Sequence, residues 1–148
     1  AKFTPKMAFL MPVLATVTGL IRGLVATDTA VTLAGGTQLL AAAAAARHYG
    51  VEGPLSIATT SFVAGDDSAA FHATADTLDL RTTVTDPDFE GVDHPAPNAY
   101  VAGEAKEGVG MGGALALAEQ TAVPMTDVHD QLLAVYERLV ESDGEADP

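Results

Sequence analysis

A single carboxylate lies among glycines at residues 106–113, whose sequence is KEGVGMGG and which precede an alanine-rich segment. Glycines allow backbone N–H groups to approach a ligand closely, and a helix N-terminus adds a dipole that favours phosphate. Glu107 is therefore a candidate general base. Lys106, Gly108 and Gly110 are candidate substrate contacts, although a solvated side chain is the simpler interpretation for Lys106.

A second glycine pair follows the apolar run at residues 30–34 and opens a predicted helix. The backbone amides of Gly35 and Gly36 could hold a phosphate there, while Thr37 and Gln38 add side-chain hydrogen bonds. A tight turn that requires a positive φ is the alternative explanation for an isolated Gly-Gly pair. The segment has neither the Walker ending nor the GxGxxG spacing, so the pair alone does not identify a nucleotide site.

The elements that must position these glycines include strands predicted from apolar runs at 30–34, 55–60 and 80–84. Strands that alternate with helices predict an α/β fold, with a mostly parallel sheet flanked by helices in Rossmann-like layers. Ligands of such sheets bind at the carboxyl ends of the strands, where both glycine segments are expected. Residues 1–142 are interpreted as one α/β domain or the C-terminal part of a larger one, and residues 143–148 as an acidic tail.

Apolar residues at helical spacing predict a first and a last helix that pack on the core. In the first helix, Pro12 is expected in the first turn, and the apolar positions are Val13, Leu14, Val17, Leu20, Ile21 and Leu24. In the last helix, Thr126 is the expected cap, and the apolar positions are Val128, Leu132, Val135, Tyr136 and Leu139.

Between these helices, Asp66 or Asp67 is expected to cap a helix that contains Phe71. A further helix is expected over residues 114–120. Residues 85–105 show no sustained period and predict a long surface connection.

The charge balance excludes several classes of partner. The 148 residues contain 20 acidic and 7 basic side chains, which gives a net charge of −13. Such a surface repels nucleic acid and anionic membranes. The composition is typical of cytoplasmic proteins from salt-loving microbes, with an ordinary acidic protein as the alternative. Because the chain has no cysteine, disulfides, Cys-type zinc sites and thiol catalysis are excluded. His72 and His129 have no second ligand at metal spacing, so no metal site is predicted.

Three ordered segments carry a family resemblance: LAGGTQ at 33–38, IATT at 57–60 with DDS at 66–68, and YVAGEAKEGVGMGG at 100–113. Together they resemble the C-terminal half of the archaeal branch of the nicotinate-nucleotide:dimethylbenzimidazole phosphoribosyltransferases. The resemblance extends over about residues 10–140. These enzymes act in cobalamin biosynthesis, where they make the lower nucleotide of cobamides.

The resemblance implies transfer of phosphoribose from nicotinate mononucleotide to a benzimidazole-type base, with release of nicotinate and no separate cofactor. It implies that Glu107 is the general base and that Gly35 and Gly36 belong to the region that holds the phosphate. Because family members are more than twice as long, it also implies a homodimer or an association with a partner that supplies the N-terminal half.

Two functions of other classes stay open from the sequence. The chain could be a non-catalytic module that binds a nucleotide or phosphate through its glycine segments. It could also be an oligomeric interaction subunit, whose apolar first helix packs on another chain. Activity as an enzyme is therefore an expectation that depends on the resemblance.

Overall fold

The computed structural model describes residues 5–66, 70–104 and 110–144, and the side chains of residues 12–140 within these ranges. The described residues form an α/β fold in which a three-stranded parallel sheet is flanked by seven α-helices. The strands are β1 (Val31–Ala34), β2 (Leu55–Thr60) and β3 (Leu80–Thr85). The helices are α1 (Pro5–Val25), α2 (Thr37–His48), α3 (Ser61–Ala64), α4 (Phe71–Thr77), α5 (Pro95–Val101), α6 (Met111–Gln120) and α7 (Met125–Gly144), with a 3-10 turn at Phe89–Gly91.

The strands are arranged in the order β1-β2-β3, and both pairs are parallel. Leu33 pairs with Ile57, which in turn pairs with Thr82. The predicted α/β class with a parallel sheet is thus confirmed. The bounds predicted for the second strand are also confirmed, while the first strand begins one residue later than predicted and the third ends one residue later.

The hydrophobic core lies on one face of the sheet, beneath α1, α2 and α4. Alternate side chains of a strand point to opposite faces, so Leu33 and Ile57 enter this core while Ala34 and Ala58 point the other way. The core consists of Ile21, Leu33, Leu40, Ala42, Ala43, Ala46, Val51, Leu55, Ile57, Phe71, Ala75 and Leu80. On the opposite face, α6 contacts all three strands and buries Leu115 and Ala116.

A single guanidinium group joins the connections at the amino ends of β2 and β3. Arg47 donates hydrogen bonds to the carbonyl oxygens of Val51 and Gly53, both at 2.8 Å, ahead of β2. It also donates to the carbonyl oxygens of Leu78 at 2.9 Å and Asp79 at 3.0 Å, ahead of β3. These bonds satisfy carbonyl groups that have no strand partner and hold the amino ends of the two strands in place.

The first and last helices differ from their predictions at their starts and in their burial. Pro12 lies inside α1, not in its first turn, and Thr126 lies inside α7, which begins at Met125. Several of the apolar positions predicted to pack on the core are exposed, namely Val13, Leu20, Leu24, Leu132, Val135, Tyr136 and Leu139. Helical spacing identifies an apolar face, but it does not identify the surface that covers that face. No helix in the described ranges is both long enough and apolar enough to cross a bilayer.

The prediction of a long surface connection without sustained period over residues 85–105 is wrong in part, because the segment contains regular structure and buried residues. The segment contains the 3-10 turn and α5, whose first residue is Pro95. The His94 Nδ1 atom accepts a hydrogen bond from the Ala96 N–H at 3.2 Å, which caps α5. The helix that contains Phe71 is preceded by Ala70 in a left-handed conformation with φ of 44°, so Asp66 is not its cap. Asp67 lies outside the described residues.

Candidate functional site

The first glycine pair lies where β1 gives way to α2. The Gly35 N–H donates a hydrogen bond to the Ala58 carbonyl at 3.0 Å and so continues the pairing of β1 with β2. A Cβ atom on Gly35 would lie 2.8 Å from Leu39 Cδ2, and one on Gly36 would lie 3.0 Å from Val63 Cγ1. Gly35 has a positive φ of 158°, as the turn interpretation requires, whereas Gly36 has a φ of −108°. Close packing at both positions and the positive φ of Gly35 explain the absence of side chains here.

Gly36 is the N-cap of α2, and no side chain makes a capping hydrogen bond there. The first backbone N–H groups of a helix have no partner within the helix, so this end is suited to an anion. The side chains of Thr37 and Gln38 are exposed and line a cavity of about 290 Å³ between α1 and α2. Their predicted role in binding substrate stays a prediction.

The second glycine segment brings the start of α6 against the ends of β1 and β2. A Cβ atom on Gly110 would lie 3.9 Å from the Ala34 carbonyl oxygen, and one on Gly113 would lie 2.5 Å from Ala34 Cβ. A Cβ atom on Gly112 would lie 2.6 Å from the carbonyl carbon of Thr59. Gly110 is the N-cap of α6, again without a side-chain capping bond. The glycines therefore allow α6 to begin in contact with the strand backbones.

The two glycine segments, which are distant in sequence, thus adjoin the same end of β1. Gly35 follows Ala34 directly, and Gly110 lies beside the Ala34 carbonyl group. The N-termini of α2 and α6, neither of which has a side-chain cap, both adjoin the end of β1, and their dipoles favour negative charge. Lys106, Glu107 and Gly108 lie outside the described residues, and their predicted roles stay predictions.

Hydroxyl groups lie at the end of β2. The Thr60 Oγ1 atom is 3.0 Å from the hydroxyl oxygen of Tyr100, and both residues are buried. The Tyr100 ring makes edge-on contacts with the rings of Phe62 and Phe89, at centroid distances of 5.4 and 5.7 Å. Thr59 is fully buried, and no atom of the described residues forms a hydrogen bond with its Oγ1. A buried hydroxyl without a partner costs about 1–3 kcal/mol, so a polar group supplied from elsewhere would stabilise this position.

The end of β3 has a different charge from the end of β1. The buried Thr85 donates a hydrogen bond to Glu119 Oε2 at 3.1 Å, which fastens the C-terminal part of α6 to β3. Beyond this contact is a cavity of about 280 Å³ lined by Ser61, Phe62, Asp86, Asp88 and Glu90. In the described ranges, no group of three or more His, Cys, Asp or Glu side chains could hold a metal ion. The three carboxylates give the lining of this cavity a negative charge, which favours positive charge or hydroxyl groups.

The sequence placed the glycines at the carboxyl ends of the strands, but it did not indicate the polar side chains that also lie there. Thr60, Thr85 and Tyr100 received no role, although Thr60 and Thr85 each end a parallel strand. That position was the available signal, because the carboxyl ends of parallel strands meet at one edge. Tyr100 has no such signal, since only the fold of residues 86–101 brings its hydroxyl group to β2.

Comparison with known proteins shows clear relatives. The chain is 57% identical over 129 residues to a UPF0284 protein from Halobacterium salinarum. It is 37% identical over 131 residues to a UPF0284 protein from Thermococcus gammatolerans and 41% identical over 109 residues to one from Methanosarcina mazei. No protein-family model matches the chain.

These matches cover most of the chain but only part of each relative. They include 86%, 88% and 72% of the chain, compared with 39%, 38% and 31% of the Halobacterium, Thermococcus and Methanosarcina proteins. The chain thus spans less than two fifths of the length of these relatives. Over most of its own length, the chain is a homologue of one part of the UPF0284 proteins.

Proposed function

We propose that the chain carries part of a phosphoribosyltransferase site. The reaction is transfer of phosphoribose from nicotinate mononucleotide to a benzimidazole-type base in assembly of the cobamide nucleotide loop. The observation that carries this proposal is that the N-termini of α2 and α6 both adjoin the end of β1. Backbone N–H groups and dipoles at such ends bind phosphate, so the phosphate of the mononucleotide binds here.

The charge difference along the sheet edge supports the same substrate. Nicotinate mononucleotide has an anionic phosphate at one end and a positively charged ring nitrogen bonded to the ribose. The two helix N-termini adjoin the end of β1, whereas the carboxylates of Asp86, Asp88 and Glu90 follow the end of β3, on the other side of the sheet's central strand. As nicotinate leaves, positive charge develops on the ribose, and nearby carboxylates stabilise it.

In the proposed reaction, a nitrogen of the incoming base forms a bond to the ribose C1′ atom while the bond from C1′ to the nicotinate nitrogen breaks. The electron pair of the broken bond leaves with nicotinate. The base loses its N–H proton to the carboxylate of Glu107, which precedes Gly110 by three residues in the sequence. Lys106, Gly108 and Gly110 contact the mononucleotide on one side, and Gly35, Gly36, Thr37 and Gln38 contact it on the other.

The proposal includes a further contribution from another polypeptide segment. The relatives are more than twice as long as the part that the chain matches, so a complete site draws on residues outside this part. A homodimer or a partner that supplies the N-terminal half meets this need. The charge of −13 and the relative from Halobacterium support a cytoplasmic protein that works in concentrated salt.

Binding of nicotinate mononucleotide tests the phosphate site directly. Isothermal titration calorimetry is done on the chain, on Gly110→Asp and on Gly110→Asn. Gly110 is exposed and has helical backbone angles, so both side chains fit without strain. We expect Asp to weaken binding about tenfold through repulsion of phosphate, while Asn has a smaller effect. Equal affinities for Asp, Asn and the unmodified chain would contradict a phosphate site at this helix end.

Turnover tests the catalytic part of the proposal. Release of nicotinate and formation of the ribazole phosphate are measured with dimethylbenzimidazole, for the chain alone and after co-expression with the unmatched part of the Halobacterium relative. Glu107→Gln should lower the rate about 100-fold or more, as expected for loss of a general base. Glu104→Gln removes an exposed carboxylate from the same region and should leave the rate unchanged.

A non-catalytic nucleotide-binding module is the second candidate. It is favoured by the small share of each relative that the chain matches, because a phosphate site can persist without the pocket for the base. This candidate predicts mononucleotide binding that is sensitive to Gly110→Asp, with no turnover under any condition and no effect of Glu107→Gln on affinity.

A further inference from the structure

The β1 side of the molecule carries an apolar surface that the described residues leave uncovered. On α1, Val13, Leu20 and Leu24 are 50%, 61% and 44% exposed, although their neighbours Val17 and Ile21 pack on the core. Gly19 and Gly23, which are also exposed, have no atom within 4 Å of an added Cβ position. A helix with apolar residues on all sides is normally buried on all sides.

Strand β1 lies next to this helix, since α1 contacts both β1 and α2. In the part of the chain that the structure describes, β1 pairs only with β2, so its outer edge offers unpaired backbone groups. Thr32 and Ala34 are exposed on this strand. Parallel sheets are usually covered on both faces, and an open strand edge readily accepts another strand.

Charge makes this surface different from the rest of the chain. Among the exposed residues of α1 from Pro12 to Leu24, Arg22 is the one charged side chain, while the whole chain carries a net charge of −13. An uncharged face on a strongly acidic chain is suited to an apolar partner surface.

We propose that the outward face of α1 and the outer edge of β1 form the surface on which the part of a UPF0284 polypeptide outside the matched segment docks. More than half of each relative lies outside that segment, so a covering polypeptide of sufficient size exists within these proteins. The docked part covers Leu20 and Leu24 with apolar side chains and pairs with β1. This inference does not depend on the proposed reaction.

The test compares one substitution in two settings. Leu20 is replaced by Glu in this chain, and the aligned residue of the full-length Halobacterium relative is also replaced by Glu. The urea midpoint of unfolding is then measured for each protein in molar KCl. Because Leu20 is 61% exposed here, we expect an unchanged midpoint in this chain and a clearly lower midpoint in the relative. Leu117→Glu, at an α6 position that is 60% exposed, is the matched control and should have a much smaller effect in the relative.

An unchanged midpoint in the relative would overturn the proposal, as would equal losses at the two positions. Should the Glu variant of the relative fail to fold, Leu20→Gln and its aligned counterpart give the same comparison with a milder change. Light scattering of this chain measures its oligomeric state and completes the test. A dimer that Leu20→Glu dissociates would assign the surface to a second copy and would also overturn the proposal.

Discussion

Helices α6 and α1 both contain glycine pairs, but the glycines lie in opposite environments. In α6, added Cβ atoms on Gly112 and Gly113 would collide with the backbone of β2 and with Ala34. In α1, added Cβ atoms on Gly19 and Gly23 would meet nothing within 4 Å. The comparison shows that glycine permits close packing in α6, whereas the glycines of α1 serve no contact within the described residues.

The largest expected effect comes from Gly112→Ala. Its new Cβ atom would lie 2.6 Å from the carbonyl carbon and 2.8 Å from the nitrogen of Thr59, in the backbone of the central strand. Because that backbone cannot move without disturbing both strand pairs, we expect a loss of about 3 kcal/mol in the free energy of unfolding. Urea unfolding followed by circular dichroism measures this loss.

Gly110→Ala is the control in the same segment, since its Cβ atom would be in ordinary contact at 3.9 Å. We expect no loss of stability for this variant. A small effect of Gly112→Ala, comparable to that of the control, would show that α6 does not depend on close approach to the sheet.

Gly113→Ala should cost less, because its Cβ atom would meet a methyl group on an edge strand. The two Cβ atoms would be 2.5 Å apart, and Ala34→Gly removes this collision. We expect a loss of about 1 kcal/mol for Gly113→Ala and its recovery in the double variant. The coupling energy from a double-mutant cycle in urea measures the contact, and strictly additive effects would argue against it.

The smallest effect, with the opposite sign, is expected in α1. Gly19→Ala and Gly23→Ala add side chains to open space, so each should stabilise the chain by about 0.8 kcal/mol through helix propensity. Urea midpoints of the two single variants measure the gain. Destabilisation by either alanine would mean that a surface already contacts α1 in solution, and the contrast with α6 would then be lost.

The sequence predicted those parts of the fold that depend on local pattern. The run at residues 55–60 is apolar and bounded by turn residues, and β2 occupies those positions. Gly35 and Gly36 were predicted to open a helix, and α2 begins at Thr37. The sequence did not predict α5, because two of its seven residues are prolines, which are unfavourable inside helices. In the structure, α5 begins at Pro95 and His94 caps it.

In the candidate site, too, local pattern predicts some features and the tertiary structure decides the others. Gly35, Gly36 and Gly110 were chosen from their neighbours in sequence, and their residue type and position beside helices follow from local pattern. Their convergence at the end of β1 depends on strand order and on the path of α6 across the sheet, and no local pattern specifies either. Tyr100 reaches Thr60 through the same tertiary arrangement.

The sequence by itself determined the class of the fold, its acidic surface and the existence of two glycine segments ahead of helices, because each depends on composition or short-range periodicity. Only the tertiary structure decided which helical glycines contact the sheet and which apolar faces stay exposed. Burial is a property of the surface that meets a residue, and that surface comes from elements distant in the chain. Leu20 and Ile21, adjacent in sequence, show this difference, since one is exposed and the other is buried.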